Sequence, residues 1–185
     1  RYARRVAAVR AAEAAAAGAG EALTRAVAVN LHKLMAYKDE YEVARLYTDG
    51  RFAAELAGTF RGGRVKVWMS PPIIAPKGPD GRPKKIAMGG WMIDLVFPVL
   101  IRLKGLRGGP LDIFGMTDER RMERGLIFSY EAQLDRVLAG LTVERLALAA
   151  RIAAVPQQIR GYGHIKEASV QVAKADEAAL WALWG

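Results

Sequence analysis

The sequence predicts a mainly α protein: a helical bundle with one short β-hairpin inserted in a Pro/Gly-rich middle region. Apolar residues recur at three- and four-residue steps before residue 57 and again after residue 117, the spacing of helices that bury one face. Between them, Arg64-Val65-Lys66-Val67-Trp68-Met69 opens by alternating polar with apolar side chains, the period of a half-buried strand. Seven of the eight prolines lie between Pro71 and Pro110, which leaves little room there for helix.

Residues 1–18 are rich in alanine, the strongest helix former, and predict a helix carrying Arg1, Arg4, Arg5 and Arg10. Gly18-Ala19-Gly20 reads as a stop and a hinge. From Glu21, the residues Leu23, Val27, Leu31, Leu34 and Met35 mark an amphipathic helix. Asp39 suits a cap, and a helix is expected over 40–56, ended by Gly58, Gly62 and Gly63. Arg64 to Ser70 should pair with Lys84 to Met88 around the turn signal Pro79-Asp80-Gly81. Trp91 to Leu103 reads as a strongly apolar helix with a kink at Pro98. Thr117 suits the cap of a helix with Asp118 and Glu119 in its first turn, where the helix dipole favours acids. That helix runs through Met122, Leu126, Ile127, Tyr130, Leu134 and Leu138 to Ala139-Gly140. Thr142 is expected to cap the next, which carries Leu146, Ala149 and Ile152 as far as Pro156. A last helix begins near Gly163, with Ile165, Ala168, Val172, Ala175, Ala179 and Leu183 as its apolar stripe. One helical domain over 1–185 is expected, with 61–110 as a basic hairpin and loop insert.

The totals exclude several classes of function. With no cysteine and two histidines, disulfides, thiolate catalysis, iron–sulfur ligation and cysteine-based zinc sites are not available. No apolar run is long enough for a membrane span; the best, Trp91 to Ile101, is broken by Asp94 and Pro98. There is no basic segment followed by an apolar leader core, so a cytoplasmic location is expected. The chain starts at Arg1, inside a helical pattern, and is read as a piece of a longer one. Its net charge is +9, and segment 61–110 holds ten basic residues against two acidic ones, a local +8. Arg61, Arg64, Lys66, Lys84, Lys85, Arg102, Lys104 and Arg107 are the candidate anion- or partner-binding residues of that segment.

A second candidate is Arg160, Gly161, Gly163, His164 and Lys166. Two glycines let a backbone approach a ligand closely, and a helix start with three basic side chains suits a phosphate. The same residues also suit a helix–helix junction with His164 in an interface. His32, beside an apolar stripe, reads as structural or surface. Asp39, Glu40 and Glu42 read as helix-end ion pairing rather than as a metal or acid–base set, since Glu40 and Glu42 do not share a helical face. Gly62-Gly63, Gly89-Gly90 and Gly108-Gly109 match no phosphate-loop pattern and read as loop glycines. Asp118, Glu119 and Glu123 alternate with Arg120, Arg121 and Arg124 as a solvated or interface face of paired charges. Trp68 and Trp91 read as core or interface anchors. Trp181 and Trp184 read first as core or interface anchors too, and, three residues apart on one face, also suit docking on a part of the parent chain not present here.

Four blocks resemble one family in order and spacing. Leu34-Met35-Ala36-Tyr37-Lys38-Asp39-Glu40-Tyr41-Glu42-Val43-Ala44-Arg45-Leu46-Tyr47 and Ile159-Arg160-Gly161-Tyr162-Gly163-His164-Ile165-Lys166-Glu167 are similar to blocks near the C-terminus of fused bacterial indolepyruvate:ferredoxin oxidoreductases. Trp68-Met69-Ser70-Pro71-Pro72, and Leu111-Asp112-Ile113-Phe114-Gly115 followed by Glu119-Arg120-Arg121 and Glu123-Arg124, resemble two more. The resemblance covers about His32 to Glu167. It implies a parent enzyme that oxidatively decarboxylates aryl 2-oxo acids to acyl-CoA, using thiamine diphosphate with magnesium, 4Fe-4S clusters and CoA, and passing electrons to ferredoxin. No Gly-Asp-Gly with a downstream Asn and no cysteine is present, so the resemblance places those cofactors elsewhere in the parent and makes this piece a non-catalytic accessory domain. Its implied partners are the remainder of an oligomeric oxidoreductase and ferredoxin. The competing reading is an independent basic module for nucleic acid, although the sequence carries no binding signature and does not interleave aromatic with basic residues.

Overall fold

The computed structural model describes residues 1–17, 20–37, 39–69, 76, 78–79, 84–106, 109, 111–112 and 114–185. Among them are eight α-helices and one two-stranded hairpin, the mainly α fold with a small hairpin read from the sequence. The expected hinge Gly18-Ala19, the turn Asp80-Gly81 and the hairpin end Ser70 lie outside the described residues. Contacts divide the chain into two units, Arg1–Tyr37 with Met122–Gly185, and Lys38–Arg121, where the sequence reading has one helical domain.

The first unit is organised around α2 (Ala22–Met35), whose Leu23, Val27 and Leu31 recur every four residues and are fully buried. They pack with Val9 of α1 (Tyr2–Ala17) and Ala149 and Ile152 of α7 (Leu146–Ala154). The start of α2 is capped from a distance. Glu21 stands at the N-cap and makes no side-chain hydrogen bond there. Glu13 of α1, 2% exposed, instead accepts from the Leu23 N–H at 2.9 Å, the Thr24 N–H at 2.8 Å and the Thr24 hydroxyl at 2.5 Å. Helix α6 (Asp118–Ala139) has Thr117 at its start, whose Oγ1 accepts from the Arg120 N–H at 3.3 Å. Its Tyr130 hydroxyl donates to the Ala153 carbonyl at 2.8 Å, tying α6 to α7, and burial pushes that phenol's pKa up.

Two expectations for this unit need correction. Thr142 does not cap α7: a turn over 143–145 intervenes, and the Thr142 side chain bonds Glu144, which lowers that carboxyl's pKa. Helix α8 (Gly163–Trp184) is rotated from its predicted face. Ile165, Val172 and Leu183 are 59%, 60% and 67% exposed, while Val170, Ala173 and Trp184 are buried. Lys166 anchors this orientation, since it turns inward to the buried Glu123. Trp184 packs into this unit's own core as the anchor reading expects, with Trp181 at 5.7 Å, Arg136 over Trp181 and Arg145 over Trp184.

In the second unit the helix expected over 40–56 is two. Helix α3 (Glu40–Thr48) stops at Asp49-Gly50, and α4 (Arg51–Thr59) restarts after Gly50 takes a left-handed φ of 85°. Asp39 caps α3 by accepting from the Glu42 N–H at 2.8 Å. Strands β1 (Val67–Met69) and β2 (Ile86–Met88) pair antiparallel, Val67 opposite Met88 and Met69 opposite Ile86. The kink expected at Pro98 is a widened turn. Proline has no N–H for the carbonyl four residues back, and the Phe97 N–H reaches Met92, five back, closing a π turn over Met92–Val96 before α5 (Phe97–Arg102). Phe97, Ala44 and Met92 form the small core, with Tyr47 tilted against Phe97 at 5.5 Å.

Replacing Glu13 by Ala strands three donors at the start of α2 and should destabilise the fold by about 1–3 kcal/mol in denaturant unfolding, while Glu21→Ala, at an exposed carboxylate, should stay within about 0.5 kcal/mol.

Candidate functional site

The basic segment lies in the second unit. Arg61, Arg64, Lys66, Lys85 and Arg102 are exposed and form no ion pair among the described residues. Lys84 is exposed, and its N–H donates to the Pro76 carbonyl at 2.8 Å. Lys104 is taken by Glu42, Nζ to Oε2 3.3 Å, and Glu42 also holds Arg45 at 2.7 Å, so both cations keep that carboxyl's pKa low. Arg107 lies outside the described residues.

Two of these cations border a cleft of about 570 Å³. Its apolar wall is Tyr47, Phe52, Leu56 and Ile93; Arg64 and Lys66 come from the segment leading into β1, Gly89 and Gly90 from the turn into the π helix, and Asp94 from that helix. Tyr47 and Phe52 meet edge to face, 4.7 Å between centroids. Gly89 allows a close turn, since a Cβ there would stand 3.2 Å from the Trp91 ring. Sequence reasoning found the two cations and missed Asp94 and the apolar wall, because residues 47, 56 and 93 come together only through folding.

The second candidate lies in the first unit, and the structure does not gather its side chains on one ligand. Gly161 (φ 88°) and Gly163 (φ 53°) make the junction into α8; a Cβ at Gly161 would stand 2.6 Å from Ile165 Cγ2. The Arg160 N–H donates to Ser169 Oγ at 3.0 Å, which fastens the loop to the first turns of α8. The side chains of Arg160 and His164 are exposed. Lys166 turns inward to Glu123, Nζ to Oε1 2.5 Å, where the two side chains are 15% and 3% exposed. Lys33 donates to the carbonyls of Pro156 (2.9 Å) and Gln157 (3.0 Å), and burial together with the charges of Arg160 and Lys166 lowers its pKa. Glu123 and Lys33 were not legible as partners of this block; Glu123 reads in sequence as one acid of a solvated or interface face of paired charges.

That face of alternating charges is therefore only partly solvated. Arg121 and Asp118 pair in water, 3.2 Å apart, whereas Arg120 lies 3.6 Å from Glu40 with both side chains largely covered, and burial raises the Glu40 carboxyl's pKa. Beside them the Tyr41 hydroxyl donates to Asp112 Oδ1 at 3.2 Å, the same oxygen that accepts the Gly115 N–H at 3.0 Å, and Phe114 packs edge-on against Tyr41. Burial and the Asp112 charge push the Tyr41 hydroxyl up to about 12. Among the described residues no cluster of His, Cys, Asp and Glu is placed to hold a metal ion, and the acids near Asp39 are engaged as caps and ion pairs. His32 is exposed and meets Tyr2 edge-on at 6.1 Å.

Comparison with known families places a match over residues 1–179, to a family of unknown function, DUF6537. The chain belongs to that family. No curated protein and no solved structure matches it. Among the described residues no helix is long and apolar enough to cross a membrane.

Two outcomes test this polar framework. Lys166→Ala leaves Glu123 buried beside a lost counter-charge and should cost about 3 kcal/mol in denaturant unfolding, with a Glu123→Leu/Lys166→Met pair recovering most of it. Tyr41 is favoured neutral in the folded state, so its contribution is complete below pH 10 and lost as pH rises through 12; Tyr41→Phe should destabilise near neutral pH by about 1 kcal/mol and flatten the fall in stability across that window.

Proposed function

We propose that this chain is a non-catalytic accessory or assembly domain of an indolepyruvate:ferredoxin oxidoreductase, and that its basic segment docks an acidic protein surface, that of ferredoxin or of a neighbouring subunit. The four motif blocks in register supply the parentage in this reading. The thiamine diphosphate, magnesium, 4Fe-4S clusters and CoA of the parent, its decarboxylation of aryl 2-oxo acids, its oligomeric state and its cytoplasmic place all follow from that parentage and belong to the same proposal.

One observation carries the docking role. Trp91, Leu95, Val99 and Leu103 recur every four residues and are 55%, 67%, 51% and 39% exposed, on a helical stretch whose other side buries Met92 and Phe97. A helix apolar on both sides expects cover on both. With the exposed Arg102 on the same stretch and Arg61 and Lys85 in the same unit, such a surface suits a protein partner with an apolar centre and a carboxylate rim. A partner without apolar surface leaves the stripe uncovered, which disfavours free CoA phosphates.

The hairpin supports the second reading, a module for nucleic acid: Trp68 is 66% exposed, with Lys66 two residues before it. A single exposed ring is short of the row of stacking platforms that a single strand uses.

In the intact oxidoreductase, replacing Arg61, Lys85 and Arg102 by Ser should raise the KM for ferredoxin about tenfold at low salt and flatten its dependence on ionic strength, with reduction of methyl viologen by the oxo acid unchanged. An unaltered KM and salt slope would refute the docking role. Saturable binding of duplex or single-stranded DNA in an anisotropy titration at low salt would transfer the assignment to the second reading.

A further inference from the structure

The cleft of the second unit has a chemistry that docking a protein does not use. Its volume, about 570 Å³, is that of a small-molecule site, and such sites combine a mostly apolar wall with a few placed polar groups. Here the wall is aromatic and branched aliphatic: Tyr47, Phe52, Leu56 and Ile93. Three charged side chains border it, Arg64, Lys66 and Asp94, and none forms an ion pair among the described residues. Lys104 and Arg45 of the same unit find Glu42; Arg61, Lys85 and Arg102 also form no ion pair among the described residues, but Arg64 and Lys66 alone of these border the cleft. Two unmatched cations from one segment, beside apolar surface, are complementary to an anion that carries an apolar body.

Asp94 narrows the class. It stands in the helical wall, apart in sequence from Arg64 and Lys66, and a carboxylate there repels a second anionic group while accepting a hydrogen bond. This disfavours nucleotides and other polyanions, whose charges would extend along the cleft. We propose that the cleft binds a small organic acid with one anionic head, held by Arg64 and Lys66, and an aromatic or branched apolar body laid against Tyr47, Phe52, Leu56 and Ile93. The proposal stands on the cleft's own residues and is independent of the parentage proposed above.

Calorimetric titration of the whole chain with 2-naphthylacetate, 4-methylpentanoate, the neutral isostere 2-naphthylethanol and inorganic phosphate tests it. At least one of the two acids should bind saturably. The neutral alcohol should bind about tenfold more weakly than the naphthyl acid, and phosphate alone should not bind measurably. Amide NMR shifts on binding should centre on Gly89, Gly90 and Ile93. Arg64→Ser with Lys66→Ser, at exposed positions where folding is not at stake, should weaken the acid about tenfold and leave the alcohol unchanged. Ala53→Trp, which fills the cleft from the exposed side of α4, should abolish both. Equal binding of acid and alcohol, affinity indifferent to either variant, or no saturable binding of either acid at millimolar concentration overturns the proposal.

Discussion

A carboxylate taken out of water must be met by donors or cations, and the cost of failing to do so outweighs that of most single contacts in a protein of this size. Four acids are buried here among the described residues: Glu13, Asp39, Asp112 and Glu123. Each stands at a joint of the fold. Glu13 closes the start of α2 from α1, and Asp39 closes the start of α3. Asp112 holds Tyr41 and the backbone of Gly115, and Glu123 holds α8 to α6 through Lys166. The helices themselves are satisfied by their own backbone bonds; their placement within each unit is decided where these acids find partners.

The same economy shapes the surface. The chain has 19 acidic and 28 basic residues, and acids drawn into the interior cannot neutralise arginines and lysines outside. Segment 61–110 owes its excess of cations to the sequence itself, ten basic residues against two acids, of which Asp94 is exposed at the cleft. Its exposed cations accompany the outward apolar stripe Trp91, Leu95, Val99 and Leu103. A second outward stripe runs along α8 through Ile165, Val172 and Leu183. An accessory domain that works by being covered is consistent with both, and the proposed small-acid cleft adds a site where the same cations serve a ligand rather than a partner.

The motif blocks that carry the family resemblance meet in this structure, and they do so in structural roles. Tyr41 of one block bonds Asp112 of another, and Lys166 of a third bonds Glu123. Their residue types are those of an active site, but the geometry spends them on capping, ion pairing and a tight glycine junction. Short blocks rich in Asp, Glu, Tyr, Lys and His can therefore mark structural pairing as readily as they mark chemistry.

Local signals settled the existence of nearly every element: the alanine-rich α1, the four-residue rhythm of α2, the Asp39 and Thr117 caps, the hairpin, and the helix opening at Gly163. The helices and caps among these depend on interactions within a few residues, which the order of side chains states directly. Only the tertiary structure decided what depends on distant partners. It turned the predicted apolar stripe of α8 outward and brought Tyr47, Phe52, Arg64 and Asp94 around one cleft. The physical reason is that a helix with apolar residues on more than one side leaves its buried face open, and contacts with residues far along the chain, such as Lys166 with Glu123, make the choice.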